Sequence, residues 1–198
     1  MKKCFFALVF LLVLPFLLSA KETDPIRYKG FAVGAYFSNT YATGDWAKFV
    51  KTGIGCGLSV EYTLPVKVDS FDIGVSLKSE FDTLIPVSNG VLESAFDFIV
   101  LPGAFLRFPF DFNKVTFALV PEVSYGFVMH NLKGRASNSV SGVYLDQMIS
   151  IAAGMRLTVT SIKNFEFEAT PLCLIVLEKS SMLIQPGYRI GALYHFSK

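Results

Sequence analysis

Residues 115–128, VTFALVPEVSYGFV, alternate with a period of two over their whole length. Val115, Phe117, Leu119, Pro121, Val123, Tyr125 and Phe127 fall on one face. Thr116, Ala118, Val120, Glu122, Ser124, Gly126 and Val128 fall on the other. Only an extended strand throws successive side chains to opposite sides, so this segment has one wide apolar face and one narrow face of small and polar residues. A soluble sandwich would bury the wide face and leave the narrow one as its surface, and that face is too small and too mixed to be a solvated exterior. Carried round a closed sheet, the pattern turns its apolar side to lipid and its narrow side to a lumen.

The pattern recurs along the chain. Residues 31–38 set Phe31, Val33, Ala35 and Phe37 against Ala32, Gly34, Tyr36 and Ser38. Residues 53–63 set Ile54, Cys56, Leu58, Val60 and Tyr62 against Gly53, Gly55, Gly57, Ser59 and Glu61. In 71–81, Phe71, Ile73, Val75 and Leu77 oppose Asp72, Gly74, Ser76, Lys78 and Glu80. Four further strands are read at 94–108, 144–159, 165–177 and 187–196, which makes eight. The links between them alternate: 39–52, 82–93, 129–143 and 178–186 on one side, and the shorter 64–70, 109–114 and 160–164 on the other. The fold class read from this is all-β, an eight-stranded antiparallel up-and-down transmembrane β-barrel with short periplasmic turns and longer extracellular loops. Outward aromatics gather near both ends, with Phe31, Tyr62, Phe71, Phe108, Phe117, Phe165, Tyr194 and Phe196 below and Phe37, Phe81, Phe96, Tyr125, Phe127 and Tyr188 above, as two interfacial girdles would. Pro102, Pro121 and Pro171 fall inside strands, where each removes a ladder donor, and bulges or sharp bends are expected there.

The first 20 residues, MKKCFFALVFLLVLPFLLSA, carry two lysines, a short apolar run and a small residue before Lys21. That is the form of a secretory signal removed after export, which leaves 21–198 as one barrel domain led in by the polar 21–30. Its removal takes two of the 18 basic residues and none of the 16 acidic ones, so the remainder is neutral. A neutral chain offers no basic surface for nucleic acid. Cys56 and Cys173 both lie on the apolar phase of strands far apart in the order, and read as two small apolar surface residues rather than a disulfide.

Eight strands enclose a lumen that side chains can fill, which argues against a general pore. Near the periplasmic end the inward residues are Glu61, Asp72, Arg107, Arg156, Glu166, Glu168 and His195, with Glu122 at mid-depth. Charges removed from water need partners, so an arginine–carboxylate network closing the lower lumen is expected. Nearer the outside, Gly53, Gly55 and Gly57 stand beside Ile99, Leu101, Met148, Leu172, Leu174 and Val176, with Arg189 among them. Missing side chains next to aliphatic ones suggest an apolar pocket open to the loops, able to take a small hydrophobic ligand that leaves sideways above the charged plug. The plainer reading is that these aliphatics pack on one another. No catalytic, metal or cofactor site is read. His130 reads as a solvated loop residue, and Lys133 and Arg135 as loop charges that face lipopolysaccharide, a host surface or simply solvent.

The last strand ends Gly191-Ala-Leu-Tyr194-His-Phe196. It resembles the Gly-x-x-Tyr-x-Phe ending of many outer-membrane barrels, which implies recognition by the barrel-insertion machinery and a place among bacterial outer-membrane lipids. The 21–198 segment is similar to small barrels of the OmpW, OmpX and OmpA-transmembrane kind, and most similar to OmpW, which implies a conduit for small hydrophobic compounds. His195-x-Ser197 faintly resembles the His-x-Ser of outer-membrane lipid A deacylases, in which the histidine activates the serine. Two function classes stay open: a transport or ligand-binding barrel, and a structural or surface-interaction barrel with a closed lumen. A soluble lipocalin-like carrier is the rival at the level of fold, and it requires an apolar interior and a polar exterior.

Overall fold

The computed structural model describes residues 26–66, 68, 70–88, 90–112, 115–135, 141–162, 164–178 and 182–196. The proposed signal, 1–20, and Ser197 lie outside the described residues. Eight strands run in chain order: β1 Gly30–Tyr41, β2 Val50–Thr63, β3 Asp72–Pro86, β4 Leu92–Asp111, β5 Val115–Gly134, β6 Gly142–Val159, β7 Phe165–Leu177 and β8 Met182–His195. Each pairs antiparallel with the next, and β1 pairs with β8 from Ala32↔His195 to Thr40↔Gly187, which closes the barrel. Two short 3₁₀ turns, Gly44–Lys48 and Thr160–Ile162, sit in connections.

The alternation sets which side faces what. On β5, Glu122 and Ser124 are buried while Val123 is 58% exposed and Leu119 is 38% exposed. On β6, Arg156 and Ser150 are buried while Ile151 and Leu157 are exposed. An exposed belt of Phe37, Leu58, Val75, Phe81, Phe98, Val123, Phe127, Ile151, Phe167 and Ile190 around a charged interior is the inverse of a soluble carrier. Such a wall is stable only against lipid. The girdles are in contact round the terminal end, with Phe31 on Tyr62 at 4.8 Å, Phe71 on Phe108 at 5.5 Å and Phe165 on Tyr194 at 5.1 Å between ring centroids. Phe81 stacks on Phe96 at 5.8 Å toward the other end.

Most strands run further than the sequence pattern suggested, chiefly toward the loop end; β4 also continues at the turn end to Asp111, and β7 keeps its expected bounds. The loops read at 39–52, 82–93, 129–143 and 178–186 contract to 42–49, 87–91, 135–141 and 178–181. In these extensions polar residues such as Thr83, Asn131 and Lys133 enter the outward positions beside apolar ones such as Tyr41 and Ile85, so hydropathy alternation weakens while backbone pairing continues. At 20 residues each, β4 and β5 exceed the ~9–11 residues that cross a bilayer and rise above it.

The three strand prolines make no bulge. The register shifts fall at Val50/Thr52 and Leu92/Ser94, and the pairings Leu77↔Pro102, Pro121↔Ala153 and Pro171↔Tyr188 are in line with their neighbours. Each proline instead borders a short lapse of partners on its other side. Pairing of β4 with β5 skips from Val100↔Phe127 to Gly103↔Ser124 and from Phe105↔Glu122 to Phe108↔Leu119, and pairing of β6 with β7 skips from Ala152↔Leu172 to Met155↔Ala169. The missing donor is met by a local gap in one ladder rather than by an inserted residue.

An arginine at Val123, mid-height on the lipid face, is expected to lower folding stability in vesicles by about 2–4 kcal/mol, and Asn131→Arg, above the apolar belt, by about 0–1 kcal/mol. Urea titration of folding into lipid vesicles checks the depth dependence.

Candidate functional site: the filled lumen and the loop end

The inward phase of the eight strands brings the charged residues together across the barrel axis. Arg156 on β6 reaches Glu61 on β2 through both guanidinium arms, at 2.8 and 2.6 Å, the fork geometry that matches a carboxylate best. The same guanidinium lies 3.3 Å from Glu168 and 3.6 Å from Glu166 on β7. Arg107 on β4 donates to Glu166 from Nε at 3.1 Å and Nη2 at 2.8 Å, and to Asp72 at 3.4 Å. Glu122 on β5 accepts Lys78 Nζ at 2.5 Å and the hydroxyls of Ser76 and Ser124 at 2.9 Å each. Every one of these charged groups is buried.

Sequence reasoning left Lys78, Tyr28 and the pairing of Arg189 with Glu80 out of the network. Lys78 shares the inward phase with Asp72 and supplies a cation beyond the two arginines. Tyr28, in the lead-in that sequence reasoning set aside, inserts under the barrel: its ring stacks on His195 at 3.5 Å, its hydroxyl donates to Thr158 at 3.2 Å, and Arg107 lies over its face at 5.0 Å. A second pair crosses higher up, where Arg189 on β8 donates to Glu80 on β3 at 2.9 Å and stacks over Tyr36 at 5.1 Å. Both Glu80 and Arg189 were legible as inward by phase, and only their partnership was not. His130 is a correction: it is 4% exposed, on the lumen side of β5, with Nδ1 2.6 Å from Asp97 Oδ1. The strand runs past the point where outward residues stop being apolar, and carries His130 inside.

Upper-lumen residues pack rather than enclose a void. Ile99, Leu101, Met148, Leu172, Leu174 and Val176 form one cluster with Val128, Ala152 and Leu183. The room above the β2 glycines is taken: a Cβ at Gly55 would lie 1.6 Å from Asp82 Oδ1, one at Gly57 2.4 Å from the Tyr36 ring, and one at Gly53 2.6 Å from Thr40 Oγ1. These glycines let side chains from β1 and β3 lie flat against the wall, which is why the sequence pattern suggested a space that the structure fills. Above them Val50, Leu84, Leu92, Ala95 and Leu132 form a second cluster, closed by Trp46 and Phe49 from the 42–49 connection. Two concavities among the described residues lie elsewhere. One, of about 640 Å³, is an apolar groove on the outer wall across β8, β1, β2 and β3; another, of about 490 Å³, opens at the loop end between Trp46, Phe49 and Met182–Ile184.

The loop end itself is mixed. Lys48 sits 2.6 Å from Asp45 and holds that carboxyl below its usual range. Lys133 pairs with Glu93 at 2.9 Å, and Arg135 donates to the carbonyls of Leu92 and Ser88. Among the described residues no three histidine, cysteine or carboxylate side chains are placed to hold a metal ion. Cys56 and Cys173 are free thiols on the outer wall.

No family model and no curated protein sequence matches this chain. Its fold does match solved structures. Neisserial surface protein A superposes with a TM-score of 0.55 at 11% identity, over 85% of this chain and 98% of that one. Ail, the attachment invasion locus protein of Yersinia pestis, superposes at 0.51 and 15% identity, over 85% and 99%. The N-terminal β-barrel domain of Pseudomonas aeruginosa OprF gives 0.49 at 20% identity, over 85% and 100%. At such identities the likeness is one of fold: a closed eight-stranded transmembrane barrel.

Arg156→Met leaves Glu61, Glu168 and part of the Glu166 charge buried without their shared cation. A stability loss of about 3–5 kcal/mol is expected, and a smaller one when Glu61→Gln is added to it. Denaturant unfolding in detergent micelles checks both.

Proposed function

We propose that this protein is a sealed barrel of the bacterial outer membrane, exported by a signal cleaved after Ala20 and inserted through its closing strand, that acts by contact at its loop end rather than by conduction. The observation that carries the reading is the filled lumen: ion pairs cross it at the level of Arg156 and again at Arg189, and packed aliphatics and Trp46 lie above. Water and ions have no continuous polar path through such a stack, and a hydrophobic solute would have to displace a native core.

Two of the barrels it superposes on support this reading, a surface protein of Neisseria and the attachment invasion locus protein of Yersinia pestis. The narrower resemblance to OmpW rested on the closing strand and on an open outer lumen, and the second of these is occupied by Tyr36, Asp82 and the aliphatic cluster. Against catalysis, His195 turns its imidazole into the lumen, with Nε2 3.2 Å from Glu166 and its ring against Tyr28, away from any lipid ester.

Purified protein in planar bilayers is expected to show no unit conductance steps, with or without added apolar solutes. Reproducible steps, or currents altered by such solutes, would contradict the sealed-lumen reading.

A further inference from the structure

Met129 is the last apolar residue on the outward face of β5, with Asn131 and Lys133 beyond it, so His130 stands above the apolar belt and inside the mouth of the barrel. The register sets acids around it. Asp82 on β3 is the partner of Asp97 on β4, and Asp97 is the partner of His130 on β5, which puts three side chains in one row on the inner face. All three are buried. Asp146 on β6 shares the inward phase, and its charge reaches His130 together with that of Glu178 from the connection after β7. Every buried lysine and arginine among the described residues is paired with a different carboxylate: Lys78 with Glu122, Arg107 with Glu166, Arg156 with Glu61 and Arg189 with Glu80. The cation in contact with the row is therefore His130, whose Nδ1 lies 2.6 Å from Asp97 Oδ1.

The 42–49 connection lies over this row. Backbone bonds anchor both its ends, from the Ala42 N–H to the Lys51 carbonyl at 3.4 Å and from the Val87 N–H to the Phe49 carbonyl at 2.9 Å. Between them Trp46, the chain's only tryptophan, tilts against the His130 ring with 6.1 Å between centroids. The connection's own charges, Asp45 and Lys48, pair with each other in solvent.

A protonated imidazole suits both contacts, since it donates to the carboxylate and lies against an electron-rich ring. Burial favours the neutral ring; the hydrogen bond and charge of Asp97, with the charges of Asp146 and Glu178, more than offset it, and His130 keeps its proton to a pH above its ordinary value. Once that proton is lost the row keeps its carboxylates without the cation between them, an arrangement stable only with water let in.

We propose that His130 is the catch of a pH-sensitive lid: its charged form holds the 42–49 connection down through Asp97 and Trp46, and loss of its proton frees the connection and admits water to the upper lumen. This goes beyond the surface-contact reading by making the shape of the loop end depend on pH. Because the folded state raises the affinity of His130 for its proton, the hold is complete in acid and is lost as pH rises through the raised value. The ion pairs of Arg156 are untouched, and the barrel stays sealed below the lid.

The test uses the full-length barrel folded in lipid vesicles, with Trp46 emission as the reporter and acrylamide as a neutral quencher. Between about pH 5 and about pH 9, quenching is expected to rise at least about twofold in a one-proton step whose midpoint lies above ~6.5. His130→Gln is expected to abolish the step. Asp97→Asn, which removes the carboxylate that favours the charged ring, is expected to keep the step and to lower its midpoint by about one unit or more, a shift that a purely structural role would not produce. Heat-modifiable gel migration reports folding of each variant. No step in the unmodified protein, a step that survives His130→Gln, or a midpoint unmoved by Asp97→Asn would each overturn the proposal. Conductance is read in none of these, so the sealed-lumen reading stands or falls separately.

Discussion

Inside a bilayer a backbone donor or acceptor has no water to fall back on, and each one left unmade costs several kcal/mol. The β1–β8 seam answers that constraint. From Ala32↔His195 to Thr40↔Gly187 the first and last strands complete the ladder, and no edge is left at membrane depth. The rest follows from the closure. A closed wall of alternating residues must have an outside and an inside, lipid sets the outside, and the small circumference of eight strands leaves an interior that side chains fill. Above the bilayer water relaxes the constraint.

The interior shows how charge can be kept in a place with little solvent. Arg156 is shared by three carboxylates and Arg107 by two, and Glu122 takes Lys78 with two serine hydroxyls. Such pairs owe their worth to being complete, because the penalty for leaving one buried charge alone exceeds the gain from making the pair. The side chains come from β2 to β7: Arg156–Glu168 and Arg107–Asp72 link neighbouring strands, while Arg156–Glu61, Arg107–Glu166 and Lys78–Glu122 tie strands that are not neighbours in the ladder. Tyr28 and the Ile26 carbonyl, which accepts from Arg107 at 3.0 Å, extend the plug into the lead-in segment.

The orientation of the wall was legible because period-two alternation needs only residue identity, and Val123 against Glu122 already carried it. Strand tops were not, because there both faces mix polar and apolar residues, with Thr83, Asn131 and Lys133 outward and Asp82 and Asp97 inward, and His130 then looks the same in a loop as in a lumen. The charged side chains could be placed inside by phase, whereas Arg189–Glu80 and Lys78–Glu122 join strands that are not adjacent and so depend on closure and tilt. The glycines of β2 misled for a physical reason: absence of a side chain marks either an opening or a close approach, and Tyr36 and Asp82 make it the second. Proline in a strand was read as a bulge or a sharp bend, and the pairing shows a lapse in one ladder with the register kept.

The central claim is that the apolar face of the sheet meets lipid while the lumen is closed to water. The most direct test puts a nitroxide on native Cys56, with the other cysteines replaced by serine and Ser141→Cys as the loop-end reference, in lipid vesicles. Molecular oxygen should relax the Cys56 label strongly and a water-soluble nickel chelate hardly at all, with the order reversed at residue 141. Strong relaxation of the Cys56 label by the nickel chelate would contradict the account.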